Sequence, residues 1–457
     1  MTVAYLIAFF TVAPDPSWTR DLPKYVSAPG GKQWARTAIH VHSVYSHDAC
    51  DRQPQLQGGI NEACLTDLRQ ALCRNHIDVL FLTEHQEHLV TAVELSSILN
   101  SRQGDTPILE AGQIVGSIQH CPDGHAAHLY LGTEGYISAI GLTEHPPADA
   151  AGLRRFYSAY SRDEVANLRR NGALILVQHA ERKNVSLPRL REIQPDLMEV
   201  YNLHANLTAT ASRRGAYRVA KRVWRGFQFL INPYLEPDLI FLAFLSEDDI
   251  ALTRWSQITT ERHVTGILAV DAHQNISAIK MRDGERADGY RRTTRWISNF
   301  VELNGHFDRE SVLAALKAGK VFMVFEAFGT PDNLQYHATK DGKIYGMGET
   351  VDLDQGADVR LFLKCPAIVG ARLSVPAPEY DLLILRATED GWKEVARAKN
   401  ADLHYATGEP GTYRAEVRIR PTHLAPYLFG ATQIIEDVPW IYANPIYVRS
   451  NVLGKPG

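Results

Sequence analysis

The sequence predicts an α/β protein: a parallel β/α barrel, closed or nearly so, followed by an all-β sandwich. Two observations carry this. From about 36 to 280, short apolar runs alternate with polar turns and helical stretches, the rhythm of parallel strands linked by helices. Beyond about 320 the chain turns to short alternating strands separated by Gly, Pro and Asp, the pattern of packed antiparallel sheets. The expected divisions are an N-terminal segment at 1–35, the barrel at 36–320 and the sandwich at 321–457.

The first strand-like run is 37–42 (TAIHVH). Leu65, Leu68 and Leu72 recur at i, i+3 and i+7, one face of a helix, which Asn75-His76 ends. A buried strand follows at 78–83 (DVLFLT). Residues 162–171 read as a helix with Gly172 as its C-terminal stop, leading into a strand at 173–177 (ALILV). Residues 196–201 (DLMEVY) and 264–270 (VTGILAV) are two more strands, and a helix at 309–319 closes the first region. In the second region 359–364, 382–386, 412–419 and 441–449 read as strands, with turns at Asp390-Gly391 and Pro410-Gly411.

Hydrophobic residues at 45% and charged residues at 22% are ordinary globular values and exclude a disordered or fibrous chain. The formal charge of -4 lacks the basic excess of a nucleic-acid binder, so no nucleic-acid partner is expected. The apolar run 3–13 (VAYLIAFFTVA) is too short to span a bilayer, so no stable membrane insertion is expected. It matches the apolar part of a secretory signal, yet no Lys or Arg precedes it. A remnant of a signal peptide or a plain N-terminal strand or helix both account for it. An extracytoplasmic location, periplasmic or secreted, is favoured over a cytoplasmic one. Five cysteines (Cys50, Cys64, Cys73, Cys121, Cys365) are too few and too scattered for a disulfide framework. In an exported protein Cys50 and Cys64 can pair around their loop; otherwise they are two buried thiols.

Histidine is the informative residue, with 18 in the chain. His40-Val41-His42 ends the first strand, where a period of two points both imidazoles to one face. Ser46-His47-Asp48 follows within a short loop's reach, the second strand ends at Thr83-Glu84-His85, and later strands end at Gln178-His179 and Asp271-Ala272-His273. In a parallel barrel these ends share one face, where active sites are built. A lone histidine at a strand end is ordinarily structural. The whole series points to a metal centre, and imidazole with carboxylate suits zinc, manganese or iron. No P-loop motif and no serine nucleophile elbow occurs.

This H-x-H…S-H-D, T-E-H, Q-H and D-A-H series resembles the polymerase and histidinol phosphatase (PHP) superfamily. The C-terminal Pro439-Trp440-Ile441…Asn444-Pro445-Ile446-Tyr447 resembles the branch that includes carbaryl-hydrolase-type metallohydrolases. The resemblance implies a distorted barrel binding one to three divalent ions and hydrolysing a phosphoester, or a small carboxylic ester or carbamate in the closer branch. It implies one metal on His40, His42 and Asp271, a second on His128 and His179, and a third on His85 and His273 with His47 or Asp48. His47, where it is not a ligand, would protonate the leaving group. Glu199 matches a commonly acidic position and would orient a ligand imidazole.

The family's bridging carboxylate is usually a Glu two residues after a Gly, on the strand before the His128 motif. Here that strand reads Leu109-Glu110-Ala111-Gly112-Gln113-Ile114, and Ile114 cannot ligate. Either Glu110 or Gln113 serves through a shifted register, or the first two metals are held less tightly. This departure supports a second reading: a catalytically weakened binding protein whose sandwich recognises a glycan or another partner. For the hydrolase the expected partner is a small ester or phosphoester, and the sequence leaves the oligomeric state open. Basic pairs at Arg213-Arg214, Lys221-Arg222 and Trp224-Arg225 read as a solvated helix face beside a core Trp, and Arg291-Arg292 and Arg295-Trp296 read the same way. His204 and His125 read as structural or surface residues, and His88, His120, His145, His263, His306, His337, His404 and His423 as exposed.

Overall fold

The structure is a computed structural model, described for residues 22–26, 32–146, 148–208, 216–354, 358–370, 376–429 and 431–450. The signal-like run at 3–13 and the pair Arg213-Arg214 lie outside the described residues. No described helix is long and apolar enough to cross a membrane.

The protein is mixed α/β, with a large mixed sheet and a further β-rich region. Seven strands set the site: β1 (Gln33–Val41), β2 (Val79–His85), β3 (Ala126–Glu134), β4 (Ser138–Leu142), β5 (Leu174–Val177), β6 (Leu197–Asn202) and β7 (Thr265–Ala269). β1, β2 and β3 pair in parallel, β4 runs antiparallel between β3 and β5, and β5, β6 and β7 are again parallel. The segment leaving β7 returns to β1: Val270 N donates to Ile39 O at 3.1 Å, Asp271 N to His40 O at 2.5 Å, and His42 N to Ala272 O at 3.0 Å. The Asn299 side chain pairs with both the N–H and the C=O of Leu268 (2.9 and 2.8 Å) and so joins β8 (Ser298–Leu303) to β7.

The strands are apolar runs because both faces are covered. One core cluster gathers Ile39, Phe81, Tyr130, Leu176 and Ile267 with Val312, Leu313 and Leu316 of the helix Arg309–Lys317. A second, larger cluster lies on the opposite strand faces under the other helices. Helix ends follow local chemistry. Asn61 accepts from Cys64 N at the start of Glu62–Arg74, Ser161 and Glu164 form a capping box on Arg162–Arg170, and Asp308 caps Arg309–Lys317.

The β-rich region holds two layers. One contains Glu379–Thr388, Gly391–Lys399, Gly411–Arg420, Val438–Ala443, Ile446–Ser450 and Thr350–Leu353; the other contains Lys343–Tyr345, Tyr336–Lys340, Val359–Leu363 and Leu403–Thr407. The run expected as one strand at 441–449 is two, because Pro445 lacks the N–H that would continue the ladder. The first region is tied on by β9 (Val321–Val324) pairing with Val438–Ala443 and by the helix Asp249–Glu261. Ser256 of that helix donates to Thr388 O at 2.9 Å, and the Arg414 guanidinium lies over the rings of Trp255, Trp392 and Tyr442.

Three readings of side-chain burial need correction. Trp224 is 58% exposed, so it is no core residue. Arg291, Arg292 and Arg295 are buried rather than solvated, because Asp238 from a distant segment collects all three guanidinium groups and Asp283 and Glu285 add to the network. His423 is also buried, and its Nε2 pairs with Phe328 O. Of the cysteines, Cys50 and Cys64 form a disulfide, one of the two readings open to them, whereas the disulfide Cys73–Cys121 is not expected from the sequence, and Cys365 is free. Their spacing hides this because the second pair joins residues 48 apart, brought together by the hairpin of Thr106–Glu110 and Gln113–His120.

Candidate metal centre

His40 shows how local backbone chemistry delivers an imidazole to the cluster. Ala35 and Ile39 face one core, whereas Ala38 and Val41 face the other. A regular strand would send His40 away from the face of Ile39. Instead His40 is left-handed at φ 65°, and the β1–β2 register shifts between Ile39 and Val41. This bulge resets the alternation and turns His40 and His42 to the inner face. His179 and Asp271 are also left-handed, at φ 45° and 52°. For residues with a Cβ each such conformation costs on the order of 1 kcal/mol or more, and such outliers cluster at functional sites.

β3 supplies the carboxylate that unites the cluster. The parallel β2–β3 register sets Glu134 opposite His85 and His128 opposite Val79. Gly132 makes this approach possible, since a Cβ there would collide with the carbonyl oxygen of Ala139 on β4. Glu134 Oε2 lies 3.4 Å from His40 Nε2, 3.2 Å from His42 Nε2 and 3.5 Å from His85 Nδ1, while its Oε1 lies 3.3 Å from His179 Nε2. Asp271 Oδ1 lies 3.4 Å from His40 Nε2 and 3.6 Å from His42 Nε2. Farther out, Asp48 reaches His85 Nε2 at 3.2 Å and His273 Nε2 at 3.4 Å.

The spacing fits metal ligands better than hydrogen bonds. Two donors held about 2.0–2.2 Å from one ion at a tetrahedral angle are about 3.3–3.6 Å apart, and an N–H···O bond is usually shorter. His40 Nε2, His42 Nε2, Asp48 Oδ1 and Asp271 Oδ1 are buried and make no aligned hydrogen bond. The other ring nitrogens are committed. His40 Nδ1 meets Glu199 Oε1 at 2.5 Å, His42 Nδ1 meets Ser46 Oγ at 2.8 Å, and His273 Nδ1 donates to Asp271 O at 2.9 Å. A proton on each Nδ1 leaves the Nε2 lone pair for a cation. Among the described residues, four overlapping sets could hold ions: His40, His42, Glu134 and Asp271; His42, His85, Glu134 and His273; His47, Asp48 and His85; and His204, Asp271 and His273.

A layer of side chains behind the cluster fixes it. Buried Glu84 accepts from Ser43 N (3.1 Å), Ser43 Oγ (2.5 Å) and Ser46 Oγ (2.6 Å), so the residue between Thr83 and His85 organises the loop after β1. Asn202 donates to Glu199 Oε2 at 3.1 Å and Asp271 Oδ2 at 3.0 Å. Glu199 also accepts from His179 N at 2.7 Å. Electrostatics follow. Burial opposes charge on His40, but Asp271, Glu199 and Glu134 outweigh it and lift the pKa well above the ordinary imidazole value. Burial likewise opposes charge on His85 and His179, yet Asp48 and Glu134 lift the first to about 9, and Glu134 with Glu181 lifts the second to about 10. Burial and the neighbouring His273 push His42 down to about 3. Burial would raise Glu134 and Asp271, but the imidazoles hold both well below the usual carboxylate range.

The structure brings together His40, His42, Asp48, His85, His179, Asp271 and His273, with Glu199 bonded behind His40. His47 stands at the mouth, 59% exposed, with Nδ1 3.5 Å from Glu87. Three expected ligands lie elsewhere. His128 sits at the other end of β3, about 20 Å of strand from Glu134, and packs on Phe307 with ring centroids 4.5 Å apart. Glu110 pairs with Arg309 at 2.9 Å, and Gln113 donates to Glu144 at 2.8 Å. The residue missed is Glu134. Gly132-Thr133-Glu134 carries the expected Gly-x-Glu spacing, one strand later than Gly112-Gln113-Ile114. His204, read as structural or surface, places Nδ1 3.8 Å from Asp271 Oδ2.

No family model and no curated protein matches the chain. Among solved structures it is similar, at 13% identity and over 92% of its length, to a two-domain protein containing a predicted PHP-like metal-dependent phosphoesterase from Bacteroides vulgatus. The match covers 98% of that chain with a TM-score of 0.35, a likeness too loose to carry an argument about this site.

Proposed function

We propose that the protein is a metal-dependent hydrolase acting on a phosphoester or a small carboxylic ester or carbamate. One observation carries the reading: buried imidazole and carboxylate atoms without aligned hydrogen bonds stand at ligand–ligand spacing around shared centres. The proposed ligands are His40, His42, Glu134 and Asp271, with His85, His179, His273 and Asp48 completing neighbouring positions. A bound divalent cation supplies Lewis acidity, lowering the pKa of water and drawing charge from a phosphoryl or carbonyl oxygen. Zinc, manganese and iron all suit this donor set.

The chain's own residues do the rest. Glu199 and Ser46 fix the tautomers of His40 and His42, and Asn202 holds Asp271 and Glu199 in place. Water gives up one proton to the solvent as its oxygen bonds to phosphorus or carbon, the ester P–O or C–O bond breaks, and the leaving oxygen takes a proton. His47 at the mouth is the proposed donor. His47→Gln should lower kcat with metal content unchanged, and loss of metal instead would recast His47 as a ligand.

We further propose a distorted barrel at 36–320, supported by the hydrogen bonds that return the segment after β7 to β1, and a β-sandwich at 321–457, supported by its two layers. The motif resemblance to the PHP superfamily favours a phosphoester, and the C-terminal motif favours the carbaryl-hydrolase-type branch. The weakened-binding-protein reading loses its main support, because Glu134 fills the place left by Gln113-Ile114. Two disulfides support an oxidising, extracytoplasmic location. Elemental analysis followed by p-nitrophenyl phosphate and p-nitrophenyl acetate assays, with and without chelator, tests the reading. Bound metal and chelator-sensitive turnover are expected. Undiminished turnover after complete metal removal would overturn it.

A further inference from the structure

One flank of the polar cluster is apolar. Val223 and Phe227 of the helix Ala216–Ile231 are 59% and 46% exposed, and Ile276, just past His273, is 41% exposed. Scattered singly such residues mean little, but here they rim a common cavity of about 270 Å³. Its walls are Phe227 and Leu230 on the helix and Phe241 and Phe244 opposite. Gly226 lets the two sides meet closely, since a Cβ there would fall 2.6 Å from Phe244 Cζ.

The cavity adjoins the His204–Asp271–His273 edge of the cluster. Leu207, Ile276 and Asp288 line both it and a narrow cleft of about 10 Å³ against His204, Asp271 and His273. Asp288 does not make the cavity polar, because its carboxylate is engaged by Ile276 N at 2.7 Å, Ser277 N at 2.9 Å and Arg286 Nε at 2.9 Å. An apolar space of about 150 Å³ accepts benzene, so this one accepts a group of roughly ten carbons. Apart from Ser277 and Asp288, the described side chains that line it carry no group that would pair with sugar hydroxyls or a base edge.

We propose that this cavity binds an aryl or alkyl substituent of the substrate and so presents the scissile bond at the edge formed by His204, Asp271 and His273. The substrate class is then an ester with a hydrophobic group on one side, not a sugar phosphate or nucleotide. The inference rests on the hydrolase reading, and the test separates the two.

The first arm measures binding without turnover: octan-1-ol is titrated into the metal-loaded protein by calorimetry. Saturable binding is expected, weakened at least tenfold in Val223→Trp, whose exposed position leaves folding undisturbed, and also weakened in Phe227→Ala. The second arm compares kcat/KM for methyl through octyl p-nitrophenyl phosphates and for p-nitrophenyl acetate through octanoate. Each added methylene should give about fourfold until the cavity is full, and Val223→Trp should cut the octyl-to-methyl ratio at least tenfold. A flat series unchanged by Val223→Trp overturns the proposal while leaving the hydrolase reading intact. Octanol binding that Val223→Trp abolishes, with no ester turned over, supports the apolar site and overturns the hydrolase reading. Binding to phosphatidylcholine–phosphatidylglycerol vesicles, lost in both variants and without octanol binding, overturns the proposal in favour of a membrane-facing surface.

Discussion

Glu134→Gln is the sharpest perturbation of the centre, because it keeps the shape of the side chain and removes one charge. That charge lies between 3.2 and 3.5 Å from nitrogens of His40, His42, His85 and His179. At an effective dielectric of about 20, unit charges about 3.4 Å apart interact by about 5 kcal/mol. Part of this is offset by the desolvation that burying a carboxylate costs, and the amide oxygen remains a weak donor to a cation. A net loss of about 3 kcal/mol, roughly a hundredfold in metal affinity, is therefore the expected floor. In the metal-free protein His85 and His179, now at about 9 and about 10, should titrate lower in the variant. Competition with a chromophoric chelator for Zn²⁺ and Mn²⁺ reads the first quantity, and NMR titration of the imidazoles reads the second. Affinity within about threefold of the unsubstituted protein, together with unmoved His85 and His179 titrations, would refute the assignment of Glu134 as the shared ligand.

His128→Ala should leave metal affinity unchanged in the same competition assay while lowering stability by about 1–2 kcal/mol through lost packing on Phe307; a large loss of metal would restore His128 as a ligand. His85 and His179 gain protons on folding in the metal-free protein, since their folded pKa values exceed the unfolded imidazole value. Their contribution is present in full below about pH 6.5 and is lost as pH rises through about 9 and about 10. Urea denaturation of metal-free protein should show stability falling from pH 7 to 10, and stability rising over that span would contradict the charge assignment. Metal binding at pH 7 should release protons from these imidazoles, measurable as a calorimetric enthalpy that varies with buffer; an enthalpy independent of buffer would count against it. Removing the Cys50–Cys64 disulfide, which closes a loop of sequence separation 14, should cost about 3 kcal/mol. Because Cys50 N is bonded to His273 O, the Cys50→Ser/Cys64→Ser variant should also weaken metal binding near Asp48 and His273. Unchanged urea stability and metal affinity would show that the loop is held by other contacts.

Much of the fold and part of the site is legible in the chain, because some signals are local. Strands covered on both faces must be apolar runs, so β5, β6 and β7 stand out to within a residue of their ends, whereas β1 begins four residues before its apolar run and β2 ends two residues after it. Ligand side chains at those ends are chemically conspicuous, and His40, His42, His85, His179, Asp271 and His273 share one face because parallel strands end together. Other signals are not local. Glu134 and His128 lie on one strand with five residues between them, and only the β2–β3 register decides which meets His85. A left-handed residue at His40, invisible to a period of two, chooses the face that both histidines present. Arg291, Arg292 and Arg295 carry charge that suggests solvent, and Asp238, more than fifty residues away, joins Asp283 and Glu285 in compensating their burial. Cys73 and Cys121 meet only after a hairpin folds back between them. The sequence by itself therefore determined which segments are buried strands and which chemical groups stand at their ends, since both depend on side chains and their immediate neighbours. Tertiary structure alone decided which of those groups converge, because register, bulges and long-range pairing place atoms to within a few ångströms, the scale on which charges and cations are sensed.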